Sequence, residues 1–156
     1  KIRKRVRNKL NIDDDDEVIG MIAYDPTAED SSAHSLLVVS EHGYGKRSDF
    51  DEYRKTNRGG KGVKTLNITE KTGELVAMKN VTDENDLMII NRSGITIRMA
   101  VSDIKVAGRA TQGVRLINIK DGDSIAAISA VNKTEDDAPE QNAEPQAEQQ
   151  TDQTNE

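Results

Sequence analysis

The chain has 156 residues, with 22 Lys and Arg against 28 Asp and Glu, a net charge of −6, no Cys or Trp, and 3% aromatic residues. The lack of Cys excludes disulfides and thiolate metal sites. No apolar run approaches membrane-spanning length, and the basic residues 1–7 precede no apolar stretch, so neither a membrane span nor a signal peptide is predicted.

In chain order, short β-branched or alternating runs predict strands at 18–23, 35–40, 63–69, 74–81, 87–91, 95–99, 114–119 and 124–131. Alternation is clearest in Val63-Lys64-Thr65-Leu66-Asn67-Ile68 and Val114-Arg115-Leu116-Ile117-Asn118-Ile119, which puts Lys64 and Arg115 on the outward face. Lys71-Thr72-Gly73, Asn91-Arg92-Ser93-Gly94 and Asp121-Gly122-Asp123 supply hairpin turns, with Gly at the positive-φ position. Short helical turns are predicted at 48–54, where Ser48 and Asp51 form a capping pair, and at 101–104. Residues 134–156 hold eight acids, no base and no aromatic, and are predicted to be disordered. With so few aromatics, the core must rest on Ile, Val, Leu and Met.

The chain repeats itself at an offset of 51 residues. Leu36-Leu37-Val38-Val39, Gly43, Arg58 and Gly62-Val63-Lys64 return as Leu87-Met88-Ile89-Ile90, Gly94, Arg109 and Gly113-Val114-Arg115. A fixed period filled with short strands indicates a radial or stacked β architecture whose units bury their apolar faces against neighbours. A partial third copy lies upstream: Val6-Arg7 and Val18-Ile19-Gly20-Met21 fall 57 residues before Val63-Lys64 and Leu75-Val76-Ala77-Met78. The expected organisation is the end of an upstream unit at 1–22, units at 23–81 and 82–133, and an acidic tail at 134–156. Since the chain opens on Lys1 inside such a unit, it reads as a fragment.

The tail carries the acidity. Residues 1–133 keep all 22 bases and 20 of the acids, so the body is slightly basic, about +2. That contrast fits a body that meets a polyanion and a tail that competes with it; a plain solubilising tail fits the charge equally well.

The sharpest motif is the loop Asn57-Arg58-Gly59-Gly60-Lys61-Gly62. Its glycines let the backbone approach another surface, and free amides beside Arg58 and Lys61 make a phosphate seat. The alternative is an inter-strand loop whose charges only solvate it. The Lys-Ser/Thr ending of a P-loop is missing, so nucleotide hydrolysis is not indicated. Lys46, Arg47, Arg54, Lys55 and Lys64 surround the loop, and Arg92, Arg98, Lys105, Arg109 and Arg115 belong to the second unit. Bases at matched points of successive units would form a stripe suited to the backbone of curved duplex, and scarce aromatics argue against single-strand binding by stacking. Asp13-Asp14-Asp15-Asp16-Glu17 lacks the EF-hand glycine, and His34 and His42 are isolated, so no metal site is expected. Tyr24, Tyr44 and Tyr53 carry no mark of a nucleophile, and no active site is found.

Three motifs carry a resemblance: Tyr53-Arg54-Lys55-Thr56-Asn57-Arg58-Gly59-Gly60-Lys61-Gly62-Val63-Lys64, Gly108-Arg109-x-Thr111-Gln112-Gly113-Val114-Arg115, and Asp14-Asp15-Asp16-Glu17-Val18-Ile19-Gly20-Met21. They resemble the last blades of the C-terminal domain of bacterial DNA gyrase A, over roughly residues 10–131. The resemblance implies an all-β, six-bladed β-pinwheel, propeller-like with antiparallel strands exchanged between blades, of which this is a part. It implies a DNA-binding module of a type II topoisomerase that wraps duplex DNA on a basic rim to support ATP-dependent negative supercoiling. The implied setting is a cytoplasmic, nucleoid-associated complex of gyrase A with gyrase B. The cleavage tyrosine and the ATPase site lie elsewhere in that enzyme, so neither catalysis nor a cofactor is expected here. The family's first-blade box, Gln-Arg-Arg-Gly-Gly-Lys-Gly, has only the degenerate counterpart Thr56-Asn57-Arg58-Gly59-Gly60-Lys61-Gly62, and residues 1–9 lack its Gly-Val-Arg.

Carried onto this sequence, the DNA contacts are Arg58, Lys61, Lys64, Arg109 and Arg115, helped by Lys46, Arg47, Arg54 and Arg98, with loop glycines Gly59, Gly60, Gly62 and Gly113. Two rivals stay open: the related C-terminal domain of topoisomerase IV, and a propeller-like protein-interaction scaffold. If the tail competes with DNA, deleting residues 134–156 tightens duplex binding most at low salt, whereas unchanged binding leaves it a solubiliser.

Overall fold

A computed structural model describes residues 16–57 and 59–133. The predictions made for Val6-Arg7, for most of the Asp13–Asp16 run, for Arg58 and for the tail fall outside the described residues.

Among the described residues, seven antiparallel strands form two sheets. Strands β1 (Ser35–Ser40), β2 (Tyr44–Asp49), β3 (Leu75–Val81) and β6 (Val114–Arg115) make the first sheet, in the order β3-β1-β2-β6. Strands β4 (Asn85–Asn91), β5 (Thr96–Ala100) and β7 (Ile125–Asn132) make the second, in the order β5-β4-β7. The repeat is visible in detail. The β1–β2 and β4–β5 turns contain Gly43 and Gly94, at φ 79° and 87°, a conformation that costs other residues about 1–2 kcal/mol. Register shifts interrupt β1–β3 pairing at Val39/Ser40 and β4–β7 pairing at Ile90/Asn91, at equivalent points.

The two faces of β1 go to different neighbours because successive side chains alternate. Leu37 and Val39 join Leu87, Ile89, Val101 and Ile104 in the main core, between the sheets. Leu36 and Val38 pack with Leu66, against partly buried Ile22, Phe50 and Met78. By the 51-residue offset, Leu36 and Val38 correspond to Leu87 and Ile89, so each unit offers one face forward and the other back. The main cluster is wholly aliphatic, as the composition requires.

The sheets are also joined through the backbone. After β5 and a 3-10 turn at Val101–Asp103, the chain crosses to the first sheet and runs along the open edge of β2. There Ala107 N–H donates to Arg47 O at 2.8 Å, Leu116 N–H donates to Gly43 O at 2.8 Å, and β6 pairs with Tyr44 and Gly45. One unit therefore supplies the outer strand of its neighbour. Side chains close the junction: Ser48 Oγ donates to Ala107 O, Lys46 Nζ to Gly108 O, and Arg47 Nε to Ile104 O, while Arg47 also pairs with Asp83.

Five local expectations need correction. Residues 18–23 form no strand, because their pattern meets no pairing partner among the described residues. Residues 63–69 form none either, and 114–119 is a strand only at Val114–Arg115, where β2 offers an edge; Leu66 and Ile117 are buried without a ladder. Strand β2 was not predicted, since Tyr-Gly-Lys-Arg-Ser-Asp reads as a polar loop, although it maps by the repeat onto 95–100. The turn predicted at 48–54 shrinks to a 3-10 turn at Phe50–Glu52 without a side-chain cap, because Ser48 is spent on Ala107.

Lys46 is 1% exposed, and its ammonium is held down to about 8, from an ordinary 10.5, chiefly by burial; Glu52 opposes this and Arg109 adds to it. A lysine whose folded pKa is lowered binds fewer protons folded than unfolded, so stability rises with pH between about 8 and 10.5. Urea unfolding at pH 7.5 and 9.5 checks this: wild type gains stability relative to Lys46→Met as pH rises, and parallel profiles would contradict it. Glycine substitutions test the strand exchange. Gly113 has φ 79°, and a Cβ there would lie 2.6 Å from Gly45 O. Gly113→Ala should cost about 2–4 kcal/mol in thermal unfolding, whereas Gly62→Ala, which meets nothing within 4 Å, should be near neutral.

Candidate nucleic-acid interface

The segment 53–64 corresponds by the repeat to 104–115, but its outer side is open. Tyr53 anchors it by a hydrogen bond to Thr65 Oγ1, and Asn57–Gly60 closes a turn through Gly60 N–H to Asn57 O at 3.1 Å. Beyond these contacts its residues from Arg54 to Gly62 that are described are exposed. Gly59 has φ 74° with open space where a Cβ would sit, and Gly62 is equally open; Gly60 lies 3.0 Å from Asn57 O by the same measure. Gly113, expected as a loop glycine of the same kind, instead lies against Gly45 under the exchanged strand.

Four of the expected cations share one surface. Arg54 Nη2 reaches Lys61 O at 3.5 Å, Lys64 Nζ donates to Asn67 Oδ1 at 3.3 Å, and Arg109 Nη1 donates to Lys64 O at 3.2 Å. The two equivalent loops are laced together beneath them: Asn67 N–H donates to Thr111 O at 3.0 Å and Gln112 Nε2 to Thr69 Oγ1 at 2.9 Å. Arg115 continues this surface from β6. Its Nε and Nη2 donate to Tyr44 Oη at 3.2 and 2.8 Å, and its Nη1 to Asn118 at 3.0 Å. Among the described residues, none of Arg54, Lys61, Lys64, Arg109 and Arg115 is in an ion pair with a carboxylate. Arg54, Lys64, Arg109 and Arg115 are held by neutral acceptors, so their charges remain available to an anion.

Three expected contacts lie elsewhere. Lys46 and Arg47 are 1% and 7% exposed and bind carbonyls of the second unit, so they serve the junction and cannot reach an external phosphate as placed. Arg98 sits on β5 opposite Met88, on the face of the second sheet turned away from the core, with Nε 2.7 Å from Asp86 Oδ2. Arg58 lies outside the described residues.

No group of three His, Cys, Asp or Glu suited to a metal occurs among the described residues. His34 bonds Asn80 and Asp30, Tyr24 stacks on Phe50 with centroids 4.0 Å apart, and Tyr44 supports Arg115; each is engaged in the fold. No helix among the described residues is long and apolar enough to cross a membrane. Lys71 and Lys120, which sequence reading passed over as functional residues, sit near Arg115; their shared place just before turn glycines Gly73 and Gly122 could have marked them.

The family model of the DNA gyrase C-terminal domain, a β-propeller, matches the chain twice, at residues 34–82 and 85–132. The DNA gyrase A protein of Staphylococcus epidermidis is 44% identical over 127 residues, 81% of this chain and 14% of that protein. DNA gyrase A of Staphylococcus aureus is 44% identical over 138 residues, 88% of this chain and 15% of that protein. The chain thus spans about one seventh of the length of these relatives. A solved gyrase A C-terminal domain superposes with a TM-score of 0.58 at 25% identity, covering 62% of this chain and 33% of that one. The C-terminal domain of a DNA topoisomerase IV superposes with a TM-score of 0.70 at 22% identity, covering 82% of this chain and 38% of that one, a likeness of fold. Two sheets joined by an exchanged strand, together with the twofold family match, make this chain a member of the DNA gyrase C-terminal domain family.

Proposed function

We propose that the chain binds duplex DNA as part of the wrapping surface of a gyrase A protein. The carrying observation is the surface of Arg54, Lys61, Lys64 and Arg109, continued by Arg115, with no carboxylate neutralising it among the described residues. Such a row binds phosphates without reading bases, and each phosphate neutralised releases condensed counterions. Bending 20–30 base pairs costs on the order of 1–6 kcal/mol, so a single unit pair adds an increment and wrapping needs the neighbouring units. The 44% identity to gyrase A supports gyrase over topoisomerase IV as the parent. In that setting the partners are the rest of gyrase A, gyrase B and DNA, and the wrap biases the enzyme toward negative supercoiling. ATP hydrolysis and strand cleavage belong to other parts of the enzyme, and this module itself takes no cofactor.

The test is a duplex titration over a salt series with the Lys61→Ala/Lys64→Ala/Arg109→Ala variant. At about 0.9 counterions per phosphate contact, the slope of log K against log salt should shrink by about 2–3, with affinity down at least tenfold at moderate salt. An unchanged slope would overturn the assignment. A protein-interaction scaffold would show no salt-sensitive duplex affinity in the wild type either.

A further inference from the structure

Beside that surface, the turns at one end of the two units converge on a cleft of about 650 Å³, walled by Tyr44, Lys71, Arg92, Arg115 and Lys120. Lys71 and Lys120 are not repeat equivalents, but each stands two residues before a positive-φ turn glycine, Gly73 and Gly122, and the two turns bring both lysines to one cavity.

The cleft is organised around a tyrosine that is 6% exposed. Arg115 Cζ lies 5.4 Å from the Tyr44 ring centroid and Lys71 Nζ lies 5.5 Å from it, both within cation–π reach. The Tyr44 hydroxyl takes two hydrogen bonds from Arg115, which lower its pKa. A neutral ring thus holds two cations where a carboxylate would have cancelled one. None of the four cations forms an ion pair among the described residues.

Acids also line the cleft: Glu41, Asp121 and Asp123. The Asp123 carboxylate is engaged by Asn91 Nδ2 at 2.6 Å, Ser93 Oγ at 2.7 Å and Ser124 N–H at 2.8 Å, which ties the turn in place. Glu41 reaches the Lys71 turn, its carboxylate lying against Gly73, and Asp121 follows Lys120, but neither forms an ion pair with Lys71, Arg92, Arg115 or Lys120 among the described residues. The grouping of Lys71 and Arg115 on the Tyr44 ring adjoins the surface already described, because Lys64, Asn67, Thr69 and Lys71 follow one another along a segment bonded to Thr111 and Gln112.

We propose that this cleft seats a backbone phosphate of the bound duplex, held between Lys71 and Arg115 with Lys120 opposite and Tyr44 as the positioning residue. The proposal rests on the duplex-binding reading and adds a contact at the junction itself, where the polyanion would touch two units at once. A cavity closed by both turns binds in proportion to how well the units are docked, so duplex binding here should also reinforce the junction.

Lys71→Ala/Lys120→Ala tests it, since both lysines are exposed turn residues outside the core; matching thermal melts check that the variant folds. Duplex affinity should fall about tenfold at moderate salt and the salt slope should shrink by about 1–2. Asp121→Asn should act oppositely, tightening binding a few-fold. If the double variant binds like wild type while the Lys61/Lys64/Arg109 variant is weakened, the cleft proposal fails and the duplex-binding reading stands. If neither variant changes the slope, both fail. Free phosphate is the other source of the same chemistry: inorganic phosphate shifting the NMR signals of Tyr44 and Lys71, with a duplex slope indifferent to the double variant, would make this a small-anion site and overturn the proposal.

Discussion

Residues 104–116 lying along the edge of β2 are the contact on which this structure depends. Without it, each unit is a three-stranded sheet with an unpaired edge, and small isolated sheets are marginally stable. With it, backbone hydrogen bonds from Ala107 and Leu116 cross between units, and Leu37, Val39, Leu87 and Ile89 are pressed into one aliphatic cluster. The exchange admits little variation, because a side chain on Gly113 would meet Gly45 O and one on Gly45 would meet Leu116 and Val38 O.

The same contact explains why equally basic residues have different fates. Lys46 and Arg47 lie on the edge being covered, so they are drawn inside and satisfied by carbonyls. Arg109 and Arg115 lie on the segment that does the covering, so they emerge on its outer side. Burying Lys46 is costly, as its lowered pKa shows, and breaking a buried polar contact costs more than omitting it. At the equivalent point of the second unit the residue is Ile97, whose strand edge is uncovered among the described residues. The polar clasp therefore occurs where a neighbouring segment supplies acceptors.

Much of this was legible in the sequence. The 51-residue offset carried the two-unit architecture, the paired 3-10 turns and the positive-φ turn glycines, since these follow from local chemistry that the repeat prints twice. Strand β2 was illegible by composition alone: a lysine and an arginine on a strand edge look solvated until another segment covers them. The strands expected at 18–23 and 63–69 failed for the converse reason, since a pattern becomes a strand only where an edge waits for it. Within the candidate site, Lys64 and Arg115 were readable as a matched pair of bases and Arg109 as the copy of Arg58, whereas Lys61, whose counterpart is Gln112, was readable only from its glycine-rich loop. Their lack of carboxylate partners among the described residues, and the meeting of Lys71 and Lys120 in the Tyr44 cleft, depend on how the units stack and could not be read from spacing.

If the proposed duplex binding holds, cations carried by the exchanged segment and its upstream equivalent face the DNA while those on the covered edge do not. Lysine footprinting with a small acylating reagent, with and without saturating duplex, examines this residue by residue. Lys61 and Lys64 should lose reactivity on binding, Lys133 just beyond β7 should keep it, and Lys46 should react poorly in both states. Equal protection of Lys133 and Lys61, or no protection of Lys61 and Lys64 at saturation, would contradict it.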